Sequence, residues 1–202
     1  MFYITDTHKD MVSYVDSLQK KYAESLSFYP KCVFERESEA KRILLGILND
    51  EPCGYIYHGA IKPATSCHQV CIQYDARNKL HGASLVSKVE EKASLGGAYV
   101  LRLRCGFDLD ANEFWKSIGY GCVDIVKGGI RRNRKINVWE KEIQPSLFSP
   151  NYIEPSKGKT SSSVWRKGKT KGIITGFSRG KSLDAYRSIV EEKAKGEVEG
   201  AS

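Results

Sequence analysis

Nowhere in its 202 residues does the chain approach the ~20 consecutive apolar residues that a bilayer-spanning helix needs. The opening segment, Met1-Phe2-Tyr3-Ile4-Thr5-Asp6, lacks both the basic start and the apolar stretch of a secretory signal, so a cytoplasmic location and no membrane partner are expected. Internal repeats are missing, and so are the Walker P-loop and the GxGxxG fingerprint that would announce common nucleotide folds. Acidic residues are absent from Ser156 to Ser182. Against these absences stand 41% hydrophobic and 28% charged residues, a globular composition with enough apolar material for a sizeable core.

Cysteines are present but scattered, at positions 32, 53, 67, 71, 105 and 122. In a cytoplasmic chain of this length they read as buried free thiols rather than a disulfide framework. The run Cys67-His68-x-x-Cys71 suggests metal ligands. On a strand, however, the two cysteines stand ~13 Å apart, whereas sulfurs sharing a zinc ion each lie ~2.3 Å from it.

The formal charge of +8 is unevenly spread: Pro155–Ser202 holds eleven basic and five acidic residues, a net of +6, leaving +2 for residues 1–154. Lys157, Lys159, Arg166, Lys167, Lys169, Lys171, Arg179 and Lys181 fall among Gly, Ser and Thr, a composition expected of a flexible segment. With Trp165 and Phe177 interrupting it, this stretch suits phosphates and bases, or serves as a solubilising tail. Ser182 can cap a short amphipathic helix carrying Leu183, Tyr186, Val190 and Ala194. The expected organisation is a domain over 1–145, a basic linker over 146–182, and a terminal helix with its end over 183–202.

Within the domain, Met11, Val15, Leu18 and Tyr22 recur at helical spacing. Ser25–Pro30 is a connection. Ile43–Leu48, a turn at Asn49–Pro52, and Gly54–Tyr57 read as a hairpin, and His68–Gln73 as a third strand. A polar turn, 75–82, leads into a helix with Leu85, Val86, Val89 and Ala93 inward, ended by Gly96-Gly97. Tyr99–Arg104 is a strand, and Ala111, Phe114, Trp115 and Ile118 lie on a helix that Gly119 terminates. A second hairpin, Cys122–Lys127 and Ile136–Ile143 around Gly128-Gly129, closes the order α-β-β-β-α-β-α-β-β. The fold class is α/β, with a mixed sheet flanked by helices.

The chemistry concentrates in the strand–loop–helix unit containing Arg77-x-x-Leu80-x-Gly82-Ala83. A helix start preceded by free amides attracts anions, because its first N–H groups lack partners and the helix dipole is positive there. Some thirty residues later comes Asp108-x-x-Ala111-x-x-Phe114-Trp115-x-x-x-Gly119-Tyr120. Together these segments resemble motifs A and B of the GNAT-type N-acetyltransferases. The likeness runs over roughly 43–143, with Met11–Tyr22 as the first family helix. It extends to the phage-type patterns D-A-R-x-x-x-H-G, A-N-x-F-W-x-x-x-G-F/Y and G-G-x-x-R-x-R-x-I-N, which would place the protein in a host cytoplasm.

That resemblance implies acetyl-CoA as co-substrate and no metal. The pantetheine arm would pair with the strand backbone at Val70, Cys71, Ile72 and Gln73. The diphosphate would rest on Arg77, Asn78, Lys79, Leu80, His81, Gly82 and Ala83, and the acceptor amine would attack the thioester directly, with a backbone N–H stabilising the oxyanion. Leu80 stands where the family carries its first glycine, and since leucine resists positive φ, the loop is expected to stay right-handed there. The His81 ring could reach a phosphate or face solvent. Trp115 replaces the usual tyrosine acid, and an indole donates a hydrogen bond without acting as an acid near neutral pH.

Catalytic candidates are Asp108, at the family's Asn position, and Tyr57 and His58, which end a strand that could face the acceptor or could be purely structural. Asp110 reads as a helix cap or an acid, and Asp75 as a turn residue. The segment Gly128–Lys135 sets four cations within five residues beside the implied acceptor pocket, either to gather polyanions or as a solvated edge. The expected function is acyl-CoA-dependent transfer to a primary amine, the acceptor being possible on nucleic acid or an acidic partner, by a monomer or homodimer. Two alternatives are a nucleic-acid base-modifying enzyme on the same scaffold, on the pattern of the phage adenine-modifying Mom type, and a non-catalytic basic DNA- or RNA-binding protein.

Overall fold

The structure, a computed structural model, describes residues 1–128 and 134–144. Expectations for Gly129, Arg131, Arg132, the 146–182 linker and the 183–202 helix lie outside the described residues. Along the chain run β1 (Phe2–Asp6), α1 (Val12–Lys21), α2 (Lys31–Glu39), β2 (Ile43–Leu48), β3 (Glu51–His58), β4 (Ala64–Ile72), α3 (His81–Leu95), β5 (Val100–Gly106), α4 (Ala111–Ser117), β6 (Gly121–Lys127) and β7 (Lys135–Glu142). The seven strands form one mixed sheet in the order β1-β2-β3-β4-β5-β7-β6. No helix of the described residues is long and apolar enough to cross a membrane.

Two elements, β1 and α2, were not expected from the sequence. Strand β1 is short and only half-buried, pairing antiparallel with β2 from Phe2↔Leu48 to Asp6↔Leu44. Helix α2 follows Pro30, whose fixed φ suits a helix start. Its buried side chains are Phe34, Glu37 and Ser38, so two of the three inward positions are polar and no apolar stripe marks the helix. Glu37 is inside because Arg36 and Arg42 both bond its carboxylate, at 2.7–2.8 Å. Burial pushes its pKa up, but those two partners outweigh burial and hold it below the ordinary carboxylate value. Ser38 Oγ donates to the Thr7 carbonyl at 2.8 Å.

Two compact units share these elements: Met1–Leu103 with residues 142–144, and the described part of Arg104–Lys141. In the first, β2 and β3 form the expected hairpin. Asn49 and Asp50 turn it with φ of 51° and 66°, both in the left-handed region that matches strand twist. One sheet face packs Ile43, Leu45, Ile47, Tyr55, Tyr57 and Cys71 against Val12, Val15 and Leu18 of α1 and Phe34 of α2. Period-2 alternation leaves Leu44 and Ile56 for the opposite face. Helix α3 packs on β2, β3 and β4, and its buried residues are Leu85, Val86, Val89 and Ala93, as the helical spacing predicts. Each fully buried leucine or valine among them contributes about 1.5–3 kcal/mol.

In the second unit, β6 and β7 form the closing hairpin, and Gly119 follows α4 at φ 88°. Five cysteines are buried free thiols, but Cys32, on α2, is exposed, contrary to expectation. Burial pushes the Cys67 and Cys71 thiols up to about 12.

Candidate active site

Strand β4 has two different edges. Along one it pairs antiparallel with β3, from Gly54↔Ile72 to His58↔Cys67, with the register shifting between Tyr57 and His58. Because Tyr57 faces Gln69 while His58 faces Cys67, His68 is the extra residue of a β-bulge, a device that bends a strand and adds twist. On its other edge β4 runs parallel to β5, but this ladder holds only from Ala64↔Val100 to Cys67↔Leu103. From His68 to Ile72 the strand continues without a partner in that ladder. Val70, Cys71 and Ile72 thus sit on a strand whose second edge opens at the bulge. Gln73 follows, its amide bonded to the Cys53 carbonyl and its side chain to the Tyr14 hydroxyl.

Beyond Gln73 a short 3-10 turn at Tyr74–Ala76 leads to α3. From Asn78 through Ala83 no backbone N–H donates a hydrogen bond to any described residue; the next amide, of Ser84, donates to the Leu80 carbonyl at 2.9 Å. Helix α3 starts with no side-chain cap and no acidic residue in its first turn. Its exposed amides and dipole therefore present an uncompensated positive end.

The loop reaches this form by a route the sequence reading ruled out. Leu80 has φ 63° and ψ 3°, in the left-handed region, and Asn78 has φ 60°. The expectation of a right-handed loop is corrected. Asn tolerates this conformation readily, while leucine incurs roughly 1–2 kcal/mol of strain. The Leu80 side chain is 79% exposed, so packing does not hold it there. The turn geometry between the strand and the helix does.

The cations around the loop are tethered. Arg77 Nε donates to the Ile72 carbonyl at 3.0 Å, and its guanidinium lies over the Tyr22 ring, 4.7 Å from the centroid. Lys79 Nζ donates to the Asp75 carbonyl at 3.3 Å. His81 takes neither of its expected positions. Its ring stacks on Phe2 at 4.1 Å between centroids, and its Nε2 is buried without a hydrogen-bond partner.

Tyr57 and His58 are buried, at 6% and 2% exposure, so neither is open to an acceptor in this conformation. Tyr57 belongs to an aromatic cluster with Phe34, Tyr29 and His68, and burial raises its phenol above the ordinary value. His58 Nδ1 lies 2.8 Å from the Gly59 carbonyl and so carries the proton there. Burial lowers the His58 pKa, which keeps the ring neutral.

In the second unit, the Asp108 side chain is 58% exposed and bonds Arg134 at 2.9 Å. Trp115 is buried, edge-on to Phe114 and Tyr120 with centroids 4.9 and 5.3 Å away. Asp110 stands at the cap position of α4, but its side chain caps nothing and its backbone is helical. The residue that organises this turn is Asn112, which the sequence reading passed over. Its Nδ2 donates to the carbonyls of Gly106, Phe107 and Leu109 at 2.8, 3.1 and 2.6 Å. Its Oδ1 accepts from Asn137 Nδ2 and Trp139 Nε1 at 2.9 and 3.0 Å. The available signal was an Asn inside a helical stretch, where its short amide competes with the backbone unless the fold employs it.

No protein-family model matches the chain, and no curated protein matches its sequence. Solved structures do. The ribosomal-protein-S18-alanine N-acetyltransferase of Escherichia coli superposes with a TM-score of 0.61 at 11% identity, over 76% of this chain and 99% of that one. Ard1 from Thermoplasma volcanium gives 0.63 at 12%, over 70% and 97%. The protein yncA from Salmonella typhimurium, solved with its cofactor acetyl-CoA, gives 0.63 at 13%, over 76% and 99%. The chain therefore has the fold of the GNAT N-acetyltransferases.

Proposed function

We propose that the protein is an acyl-CoA-dependent N-acyltransferase that passes an acetyl or other acyl group to a primary amine by direct attack within a ternary complex. The observation that carries this reading is the row of unpartnered amides from Asn78 to Ala83, set directly after a strand whose second edge opens at His68. A diphosphate is the ligand chemistry that suits such a row, because several N–H groups and a helix dipole can share its charge. An extended amide-bearing arm suits an open strand edge, since it can pair as an added strand would. In this reading Val70, Cys71 and Ile72 hold the pantetheine, the expected part of Gln73 being dropped because its N–H is bonded to the Cys53 carbonyl and its own carbonyl to the Ala76 N–H, and Arg77 through Ala83 hold the diphosphate. Asp108, in the second unit, is the candidate for attracting the ammonium of the acceptor. A structural neighbour solved with its cofactor acetyl-CoA supports the same choice of co-substrate.

Calorimetry with acetyl-CoA tests it. Saturable binding is expected, with CoA competing, and absence of binding would reject the function. Mass spectrometry of candidate acceptors for an acyl-sized gain then identifies the amine class. A nucleic-acid acceptor is a second reading, favoured by Trp115 standing where the family carries tyrosine. Replacing the eight Lys and Arg residues between 157 and 181 by glutamine would then flatten a steep salt dependence of DNA affinity.

A further inference from the structure

We propose that His68, the bulged residue of β4, is the general base that takes the proton from the attacking amine. The inference rests on the acyl-CoA reading above, and it adds a residue that no sequence motif singled out for catalysis.

If the diphosphate occupies the amides from Asn78 to Ala83 and the arm descends along the open edge from Gln73, the reactive end of the arm meets β4 where that edge closes. The ladder to β5 resumes at Cys67, so the edge closes at His68. Gln73 to His68 is five residues of extended chain, ~17 Å at ~3.3 Å per residue, comparable with the reach of an extended pantetheine. The residue is solvent-exposed, unlike its neighbours Cys67 and Gln69.

The ring is also held. It lies on Tyr57 with centroids 4.7 Å apart, and Tyr29 stands at 6.1 Å. A Cβ added to Gly59 would come within 3.1 Å of His68 Nε2, so the absence of a side chain at 59 leaves room for the imidazole. Neither ring nitrogen is spent on a hydrogen bond among the described residues.

The groups facing it are the phenols of Tyr57 and Tyr29, the His58 ring, and the Glu37 carboxylate of α2, which is bonded to Arg36 and Arg42. Partial burial lowers the imidazole below the ordinary histidine value, and Glu37 raises it less. The ring is therefore neutral at pH 7, the state a base requires.

The step balances without any further reactant. His68 takes one proton from the acceptor ammonium, giving the free amine. The nitrogen bonds the thioester carbon, and the carbon–sulfur bond breaks. The second N–H proton passes to the departing thiolate, and His68 returns its proton to water.

The test uses the full chain in three readouts. Calorimetry with acetyl-CoA comes first; failure to bind there rejects the acyl-CoA reading itself, separately from His68. Diethyl pyrocarbonate modification follows, with the exposed His8 as internal control. Saturating acetyl-CoA should slow carbethoxylation of His68 at least tenfold and leave His8 unchanged. Last, CoA release is followed with a peptide bearing a free α-amine and a lysine, and with water alone as the slow acceptor. His68→Gln should lower this rate about 100-fold while keeping acetyl-CoA affinity. It should also abolish the fall in activity expected of the unaltered protein below the His68 pKa. Gly59→Ala, which displaces the ring without removing it, should give an intermediate loss. An unprotected His68 in a protein that binds acetyl-CoA, or a His68→Gln variant with an unaltered rate and pH profile, would overturn the assignment.

Discussion

The two units each contain a strand–loop–helix turn, and the two turns handle their loose backbone groups in opposite ways. After β5, Asn112 gathers the carbonyls of Gly106, Phe107 and Leu109 with one amide group, and accepts from Asn137 and Trp139 with its oxygen. The amides of Leu109, Asn112 and Glu113 also find backbone acceptors. After β4 nothing comparable happens, and the amides from Asn78 to Ala83 are left with no partner inside the described chain. Buried or not, backbone N–H groups are strong donors, and a fold that leaves a contiguous row of them open has room for an external acceptor. The closed turn is architecture. The open one is the turn we propose as the diphosphate site.

The largest effect should come from breaking the closed turn. Asn112→Ala removes five hydrogen bonds and leaves Trp139 Nε1 without its Asn112 acceptor in a buried position. The expected loss is about 3–4 kcal/mol, because each stranded buried group costs about 1–3 kcal/mol and neighbouring groups partly re-pair. Urea unfolding measures it. A loss under about 1 kcal/mol would mean that the network is ornamental and the contrast between the turns is overstated.

The open turn should respond in binding rather than in stability. Gly82→Trp sets an indole among the unpartnered amides, and the expected result is at least 100-fold weaker acetyl-CoA binding, about 2.7 kcal/mol, with the far-UV spectrum retained. Unchanged affinity would move the diphosphate elsewhere.

Much of this contrast was legible in the sequence, though unevenly. The inner face of α3 follows from apolar spacing alone, and the helix start after a Gly-containing turn marks the open amides. The β2–β3 hairpin was likewise plain from two apolar runs around Asn49-Asp50. What escaped reading were features in which polar groups do structural work. Helix α2 buries Glu37 and Ser38, so a hydrophobic pattern cannot find it. Asn112 looks like an ordinary surface amide until its partners from β7 are in place. The bulge at His68 depends on the register between two strands, which one strand's sequence does not encode. Leu80 is illegible for a different reason: the strand-to-helix geometry, not the residue's own preference, sets this backbone, and the leucine complies.

Leu80→Gly removes an exposed side chain from a left-handed position, relieving roughly 1–2 kcal/mol of strain while adding about 0.5–1 kcal/mol of unfolded-state entropy. A net gain of roughly 0.5–1 kcal/mol in denaturant unfolding is expected. Destabilisation would show that the leucine side chain is needed where it stands.

The smallest effect on stability belongs to Asp108, and it separates surface electrostatics from chemistry. The carboxylate is more than half exposed and its bond to Arg134 is an ion pair at the surface, worth at most ~0.5 kcal/mol after solvent screening. Asp108→Asn should therefore leave unfolding and acetyl-CoA affinity within error. If the carboxylate attracts the acceptor ammonium as proposed, the rate with the peptide amine should still fall several-fold, and the fall should shrink as salt is raised, since an exposed charge acts over about one Debye length. Equal rates at low salt would remove Asp108 from the acceptor side and leave its pairing with Arg134 as its whole role.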